Sequence, residues 1–503
     1  MSSEIAGEQG EKNVQHESSR LQQTSVGHRF IRNAAALLTS DMLNKATTFF
    51  VYVLVARSFD DSGEAFGQLV LGLTLFYVFQ VLATAGLPNL LTREVATRPK
   101  RTARLIAGGL AATCVTSCIA ILAMQSAAAA FQFKEETTRV IQILSFGLAP
   151  YSLALIFEAA FRGRERMHFI AISNLLANIV KVGGAVGILW ADKGILWIAG
   201  LIVGVRTLIF LSDAVCYSLY ARFGIARPIR MHVVSLLSRS IPFLGIDIVI
   251  ALWGAVDGIM LAKLMSETEV GVYGAAGQLL QPVALVYRSI VASVFPAMCR
   301  QASERHNLHV MTRWMVAFLL LMGMPVTILL AAFADQILYW VYAESHFQAA
   351  VPVMRIAAFG LIAHSFTSIL GHALWASGRE KDTLRIVLVN FSISIVVSYL
   401  FISWWGLIGA PIASICVVAL NVLQHYDALR RVTSERPLDS QVFVPLVAAA
   451  AMLLVLVLLS SFNRYGAAFC ATTVYVLLTT GLLVGRHGSA RNLRSDFFSP
   501  LAQ

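Results

Sequence analysis

From residue 32 onward the chain alternates between apolar blocks of about 20 residues and short polar connectors. A helix of about 20 residues spans the roughly 30 Å hydrocarbon layer of a bilayer. The pattern predicts fourteen such helices, over 33–56, 66–87, 105–126, 139–160, 168–190, 195–217, 241–262, 271–296, 314–334, 351–373, 384–403, 407–426, 441–461 and 466–485. The first is the least apolar, because Asn33, Ser40, Asp41, Asn44 and Lys45 interrupt it. Residues 1–28 are polar, mixed in charge and without an apolar run. They read as a flexible tail rather than a signal peptide. The longest external connector runs from Asp335 to Ala350. No soluble domain is expected on either side, so function falls to the helices and the space between them.

Composition strengthens the membrane reading. Only 13% of the 503 residues are charged and 57% are hydrophobic, and the mean hydropathy is +0.71. A soluble chain carries about 25% charged residues. A cytosolic enzyme, a disordered protein and a nucleic-acid binder are excluded on this ground. The net charge of +11 therefore concerns sidedness. With the N-terminal tail inside, the cytoplasmic segments hold 28 Lys and Arg, and the opposite segments hold six: Arg57, Lys134, Arg139, Lys193, Lys263 and Arg464. That bias predicts both termini on the cytoplasmic side. The six cysteines form no CxxC pair, so neither a disulfide framework nor a zinc knuckle is expected.

The chain also repeats itself. Leu54-Val55-Ala56-Arg57 followed by Phe66-Gly67 returns as Met260-Leu261-Ala262-Lys263 followed by Tyr273-Gly274, with the basic residues 206 apart. Gly163-Arg164-Glu165-Arg166 returns as Gly378-Arg379-Glu380-Lys381, with the glycines 215 apart. The offset covers six helices, so both halves share one orientation and are related by an axis along the membrane normal, as in transporters built from parallel repeats. The expected organisation is a tail over 1–31, an N-lobe over 32–217, a cytoplasmic linker over 218–240 and a C-lobe over 241–426. Two further helices lie within 441–485, and a second tail covers 486–503.

Several of these segments resemble a known family. They are Val53-Leu54-Val55-Ala56-Arg57 with Phe66-Gly67, and Ala85-Gly86-Leu87 running to Thr92-Arg93-Glu94-Val95-Ala96. Gly163-Arg164-Glu165-Arg166, Ile241-Pro242, Asp257 with Gly271-Val272-Tyr273-Gly274, and Ser377-Gly378-Arg379 complete the set. Together they resemble the polysaccharide (O-antigen type) flippases of the multidrug, oligosaccharidyl-lipid and polysaccharide exporter superfamily. The resemblance covers about 400 residues, helices one to twelve. It implies an all-α polytopic membrane protein with two pseudo-symmetric six-helix lobes around a central cavity, plus two C-terminal helices. It also implies an undecaprenyl-diphosphate-linked oligosaccharide as cargo and alternating access as the mechanism. The setting implied is the bacterial inner membrane, with polysaccharide polymerase machinery as a neighbour.

Charged groups inside a bilayer cost at least about 2.5–3.5 kcal/mol each on insertion scales, so each points to a partner or a wet cavity. In helix one, Asp41, Asn44 and Lys45 share a face. They read either as an intrahelical ion pair or as a cavity-lining face, with Asp41 and Asn44 as a candidate H⁺ or Na⁺ coupling site. In helix eight, Gln278, Gln281 and Arg288 recur along one side. Arg288 has no acid within a turn and matches a diphosphate in its guanidinium geometry. The alternative is pairing with Asp257 or Asp247 of helix seven, and Asp257 is also a candidate coupling carboxylate. Lys181 in helix five and Arg206 in helix six add candidate cations to the substrate path. Arg206 and Asp213 share a stripe that reads equally well as interhelical pairing. Arg355 is near enough to a helix end to snorkel. His364, Ser368 and His372 read as helix–helix hydrogen bonding.

No P-loop, HExxH or GxSxG motif is present. The external loops carry little that resembles a catalytic set, so a transporter is expected rather than an enzyme. Neither a cofactor nor a metal is expected. A cation-coupled exporter of small drugs on the same fold is the alternative.

Overall fold

A computed structural model describes residues 39–40, 42–59, 63–221, 230–301, 305–343, 345–433, 443–461 and 463–487. Among these residues the chain is helical and contains no strand. The helices are α1 (42–58), α2 (Glu64–Thr84), α3 (Leu87–Thr97), α4 (Thr102–Phe131), α5 (Glu135–Ser145) and α6 (Leu148–Gly163). Then follow α7 (His168–Trp190), α8 (Ile195–Val215), α9 (Arg230–Leu264), α10 (Glu267–Gln301), α11 (Arg305–Ala332) and α12 (Ala334–Tyr342). The last five are α13 (Ala350–Ala376), α14 (Glu380–Trp405), α15 (Gly409–Thr433), α16 (Phe443–Leu459) and α17 (Arg464–His487). Nine stretches of described residues are long and apolar enough to cross a membrane, and one of them, Glu380–Thr433, contains both α14 and α15. Exposed Leu, Ile, Val, Phe and Trp side chains cover these helices, as on Leu122, Ile179, Trp197, Val457 and Phe469. Lipid, rather than water, is the solvent that such faces fit.

The described residues divide into two compact units. The first comprises residues 1–58 and 75–248, the second 59–74 and 249–503. Helices α2 and α9 each contribute to both.

In the first unit α6 packs against α3, α4 and α8, and α7 packs against α8. The stretch expected as one helix over 139–160 is instead two, α5 and α6, interrupted at Phe146–Gly147. Pro150 lies in the first turn of α6, where its missing N–H leaves no helical bond to lose. Helix α3 carries the Leu87–Ala96 part of the Ala85-Gly86-Leu87…Thr92-Arg93-Glu94-Val95-Ala96 segment. It begins after Ala85 and Gly86, both at positive φ, and buries Leu87, Leu90, Leu91 and Val95. Its buried acid, Glu94, is bonded by Arg98 at 3.3 Å and by Arg239 of α9. That acid is therefore a packing anchor.

In the second unit α13 packs against α10, α11 and α15, while α16 and α17 pair with each other. The N-terminal half of α2 crosses α10 at glycine. A Cβ on Gly67 would lie 1.8 Å from the Glu267 carbonyl oxygen, and one on Gly271 would lie 2.6 Å from that of Gly63. A Cβ on Gly274 would meet Val70 at 2.9 Å. The two Phe/Tyr-Gly segments of the repeat thus meet at one crossing. At the start of α17, Arg464 forms a fork on Asp335 at 2.6 and 2.7 Å, and Arg355 stands 3.9 Å from the same carboxylate.

Candidate functional site

The polar residues singled out in the sequence gather in two clusters, one in each unit. In the first unit the cluster is a seam between α1 and α7. Lys181 is buried, 9% exposed. Its Nζ donates to Asn44 Oδ1 at 2.9 Å, to Thr48 Oγ1 at 2.9 Å and to the Asn44 carbonyl at 3.3 Å. Thr47 Oγ1 donates to Asn178 Oδ1 at 2.8 Å, and Asn174 Nδ2 donates to Ser40 Oγ at 3.1 Å. Residues 174, 178 and 181 fall on one face of α7, at the 3.6-residue period. They therefore meet the polar face of α1 side by side. Lys45, one residue beyond Asn44, is exposed. Asp41 lies outside the described residues.

Arg206 of α8 has a different setting in the same unit. Its guanidinium carbon lies 3.8 Å from the Tyr151 ring centroid and 5.8 Å from that of Phe76. Its Nη2 donates to Tyr77 Oη at 3.4 Å. Aromatic faces attract a cation in this way without neutralising it. Asp213, two turns along the same helix, is fully buried and accepts from Ser173 Oγ at 2.6 Å. The stripe read in the sequence therefore separates into a cation on aromatic rings and a carboxyl in the helix interface. Tyr77 and Tyr151 had no sequence signal, since aromatics are frequent in membrane helices whatever they touch.

In the second unit Arg288 of α10 is exposed. Its Nε reaches the Ala284 carbonyl and its Nη2 reaches Gln281 Oε1, both at 3.4 Å and both on its own helix. Among the described residues no carboxylate lies within ion-pair distance of it. The alternative partner Asp257 is engaged elsewhere. Its Oδ1 accepts from Ser398 Oγ of α14 at 2.7 Å and its Oδ2 from Tyr273 Oη at 3.1 Å. Gln278 is partly exposed, one turn before Gln281. His364 stands close enough for the Arg288 charge to act on it. His372 uses Nδ1 on the Ser368 carbonyl at 2.6 Å, so that stretch bonds along its own helix. Among the described residues no group of three His, Cys, Asp or Glu could hold a metal ion.

With the geometry in place, comparison with known proteins is informative. A family model described as a polysaccharide biosynthesis protein matches residues 30–302, more than half the chain. A second, described as MatE, matches residues 242–400. The chain is 22% identical over 305 residues to the probable low-salt glycan biosynthesis flippase Agl15 of Haloferax volcanii. That match covers 59% of this chain and 63% of the relative, so the chain spans somewhat under two thirds of its length. Among solved structures it is similar to the lipid II flippase MurJ in an inward closed conformation, with TM-score 0.74 and 14% identity, over 94% of this chain and 100% of that one. It is also similar to an inward-facing multidrug resistance MATE family transporter of the MOP superfamily, with TM-score 0.65 and 13% identity, over 80% of this chain and 99% of that one. At these identities the likeness is one of fold, and that fold is the all-α architecture expected from the sequence.

Proposed function

The chain belongs to the polysaccharide biosynthesis protein family, and on that footing we propose that it flips a lipid-diphosphate-linked oligosaccharide across the bacterial inner membrane. The direction is from the cytoplasmic to the outer leaflet, by alternating access, in the assembly of exopolysaccharide, capsule or O-antigen. Both termini are cytoplasmic in this reading, which the distribution of Lys and Arg supports. The chain acts as a transporter and not as an enzyme. The flippase names of its relatives support the same reading.

The observation that carries the proposal is the exposed Arg288 guanidinium. Among the described residues its hydrogen bonds go to an amide and a carbonyl of its own helix. A buried or structural arginine in a membrane is paired, because an unpaired cation there is costly. One left open to a polar space fits an anionic cargo, and its fork fits phosphate oxygens. Gln278 and Gln281 on the same helix offer amides to sugar hydroxyls. Arg206 and Lys45 are the further cations assigned to the path, whereas Lys181 is engaged by Asn44 and Thr48 of α1. Asp257, held by a hydroxyl and a phenol rather than a cation, is the carboxylate assigned to H⁺ or Na⁺ coupling, with Asp41 as the second candidate.

The MatE match over 242–400 supports the rival cargo, a small organic cation. Reconstitution separates the two. Liposomes containing the chain and a labelled undecaprenyl-diphosphate oligosaccharide should lose the label's protection from a membrane-impermeant oxidant within minutes, while empty liposomes retain it. If the glycolipid keeps to its leaflet while an organic cation is moved, the drug-export reading replaces this one.

A further inference from the structure

The α1–α7 seam has an unusual composition for a place that buries an ammonium. Among the described residues, the three groups that receive Lys181 Nζ are all neutral oxygens: Asn44 Oδ1, the Asn44 backbone carbonyl and Thr48 Oγ1. Their number equals the three N–H donors of the ammonium, which has no acceptor of its own. The Thr48 hydroxyl donates its hydrogen to the Asn44 carbonyl at 2.7 Å. Its remaining lone pairs are thereby directed away from that carbonyl, toward Nζ. No carboxylate among the described residues takes part. Neutral carbonyl, amide and hydroxyl oxygens gathered at one point form the donor set by which membrane proteins replace the hydration shell of a monovalent metal cation. Here the cation is supplied by a side chain.

We propose that Lys181 is a tethered cation, whose ammonium fills an alkali-ion-type oxygen cage between α1 and α7, so that this contact is held together with no bound Na⁺ or K⁺. The inference does not depend on the identity of the cargo. It assigns Lys181, Asn44 and Thr48 to one positive charge fixed in the protein, and it makes Asn44 the cage wall rather than a port for a coupling ion. Removing the ammonium while keeping the oxygens should open a real alkali-ion site. A free ion gives up hydration and translational freedom on entry, as the tethered ammonium does not, so rescue by a free cation should be incomplete.

The test is thermal unfolding of the purified full-length chain in matched NaCl, KCl and N-methyl-D-glucamine chloride. The wild type sets the reference in each salt, including any shift from an ion bound at Asp257. Lys181→Ala should unfold earlier in N-methyl-D-glucamine, and Na⁺ or K⁺ should restore about half of that loss in a saturable manner. The pair Lys181→Ala with Asn44→Ala should lose the restoration, and Lys181→Met, which refills the space with carbon, should show none. If Lys181→Ala accumulates poorly, size-exclusion profiles of membranes solubilised in each salt give the same contrast. A monodisperse peak only with Na⁺ or K⁺ supports the tethered cation. Equal behaviour of Lys181→Ala in all three salts once the wild type's own salt shifts are subtracted, or saturable stabilisation of the wild type by Na⁺ that survives Asp257→Asn and is lost in Asn44→Ala, overturns it.

Discussion

Lys181 and Arg288 are both cations well inside long helices, and their surroundings are opposite. Lys181 is buried and saturated, with each N–H assigned to an oxygen of α1, a helix 137 residues away in sequence. Arg288 is exposed and, among the described residues, bonds along its own helix. The first is a cation used to join two helices, and the second is the one that the proposed function gives to the cargo. Neither charge nor position along a helix distinguishes them. The distinction lies in whether a second helix supplies acceptors. Asp213 and Asp257 repeat the lesson for acids, since each is received by hydroxyls from another helix and neither by a base.

Four measurements would break or sharpen this contrast. The largest effect is expected at Arg288. Replacing it with Ala should lower glycolipid flipping about 30- to 100-fold, the loss of charge-assisted hydrogen bonds worth roughly 2–3 kcal/mol, with yield and unfolding temperature unchanged. Arg288→Lys should recover only part, because the charge returns without the fork. A second change, Asp257→Asn, should restore nothing, and restored stability and transport would show that Arg288 is a packing residue after all. Next comes Lys181→Ala without alkali cations, which should lower stability by about 1–3 kcal/mol by leaving the part-buried Asn44 Oδ1 and Thr48 Oγ1 without the ammonium donor. An unfolding temperature equal to wild type would remove the distinction between the two cations.

A smaller effect is expected at Lys45. Lys45→Ala should slow flipping a fewfold and Lys45→Arg should be nearly neutral, since a point charge suffices at an exposed position; an inert Lys45→Ala would take this residue out of the path. The smallest effect is expected outside the membrane segments, at Asp335. The hydrogen bonds from Arg464 hold its carboxyl below the usual carboxylate range. Its contribution is therefore complete above the ordinary carboxylate pKa and disappears as the pH falls through the lowered one. Both side chains are about a third exposed, so the pair should be worth under about 1 kcal/mol. Asp335→Asn should lower the unfolding temperature slightly near neutral pH and match wild type in strong acid. An equal gap at both pH values would remove the ion-pair explanation.

The helical, membrane-spanning character was legible in the sequence because the bilayer imposes a length and a hydropathy on every span. The break inside 139–160 was hidden, since apolar residues continue through Phe146 and only Gly147 and Pro150 mark it. Arg288 was correctly read as lacking an acid nearby on its own helix. The engagement of Asp257 by Ser398, 141 residues distant, was beyond any local pattern. For Lys181 the sequence showed a mid-helix cation but not its burial, because the acceptors belong to a helix whose own polarity suggested a cavity. Partners within a turn are visible in periodicity, whereas partners across helices become visible only when the helices are packed.

At the crossing of α2 and α10, the backbone of one helix lies where the Cβ of the other would be, at Gly67 and again at Gly271. Every amino-acid replacement of a glycine introduces a Cβ. No such replacement at either position is therefore sterically silent. The exposed face of α10 that carries Gln281 and Arg288 is under no such restriction, since side chains there can be exchanged without entering a neighbouring backbone. Its chemistry can drift while the crossing stays fixed. What a lineage of this protein can become is thus bounded less by the groups it exposes than by two positions that have no side chain at all.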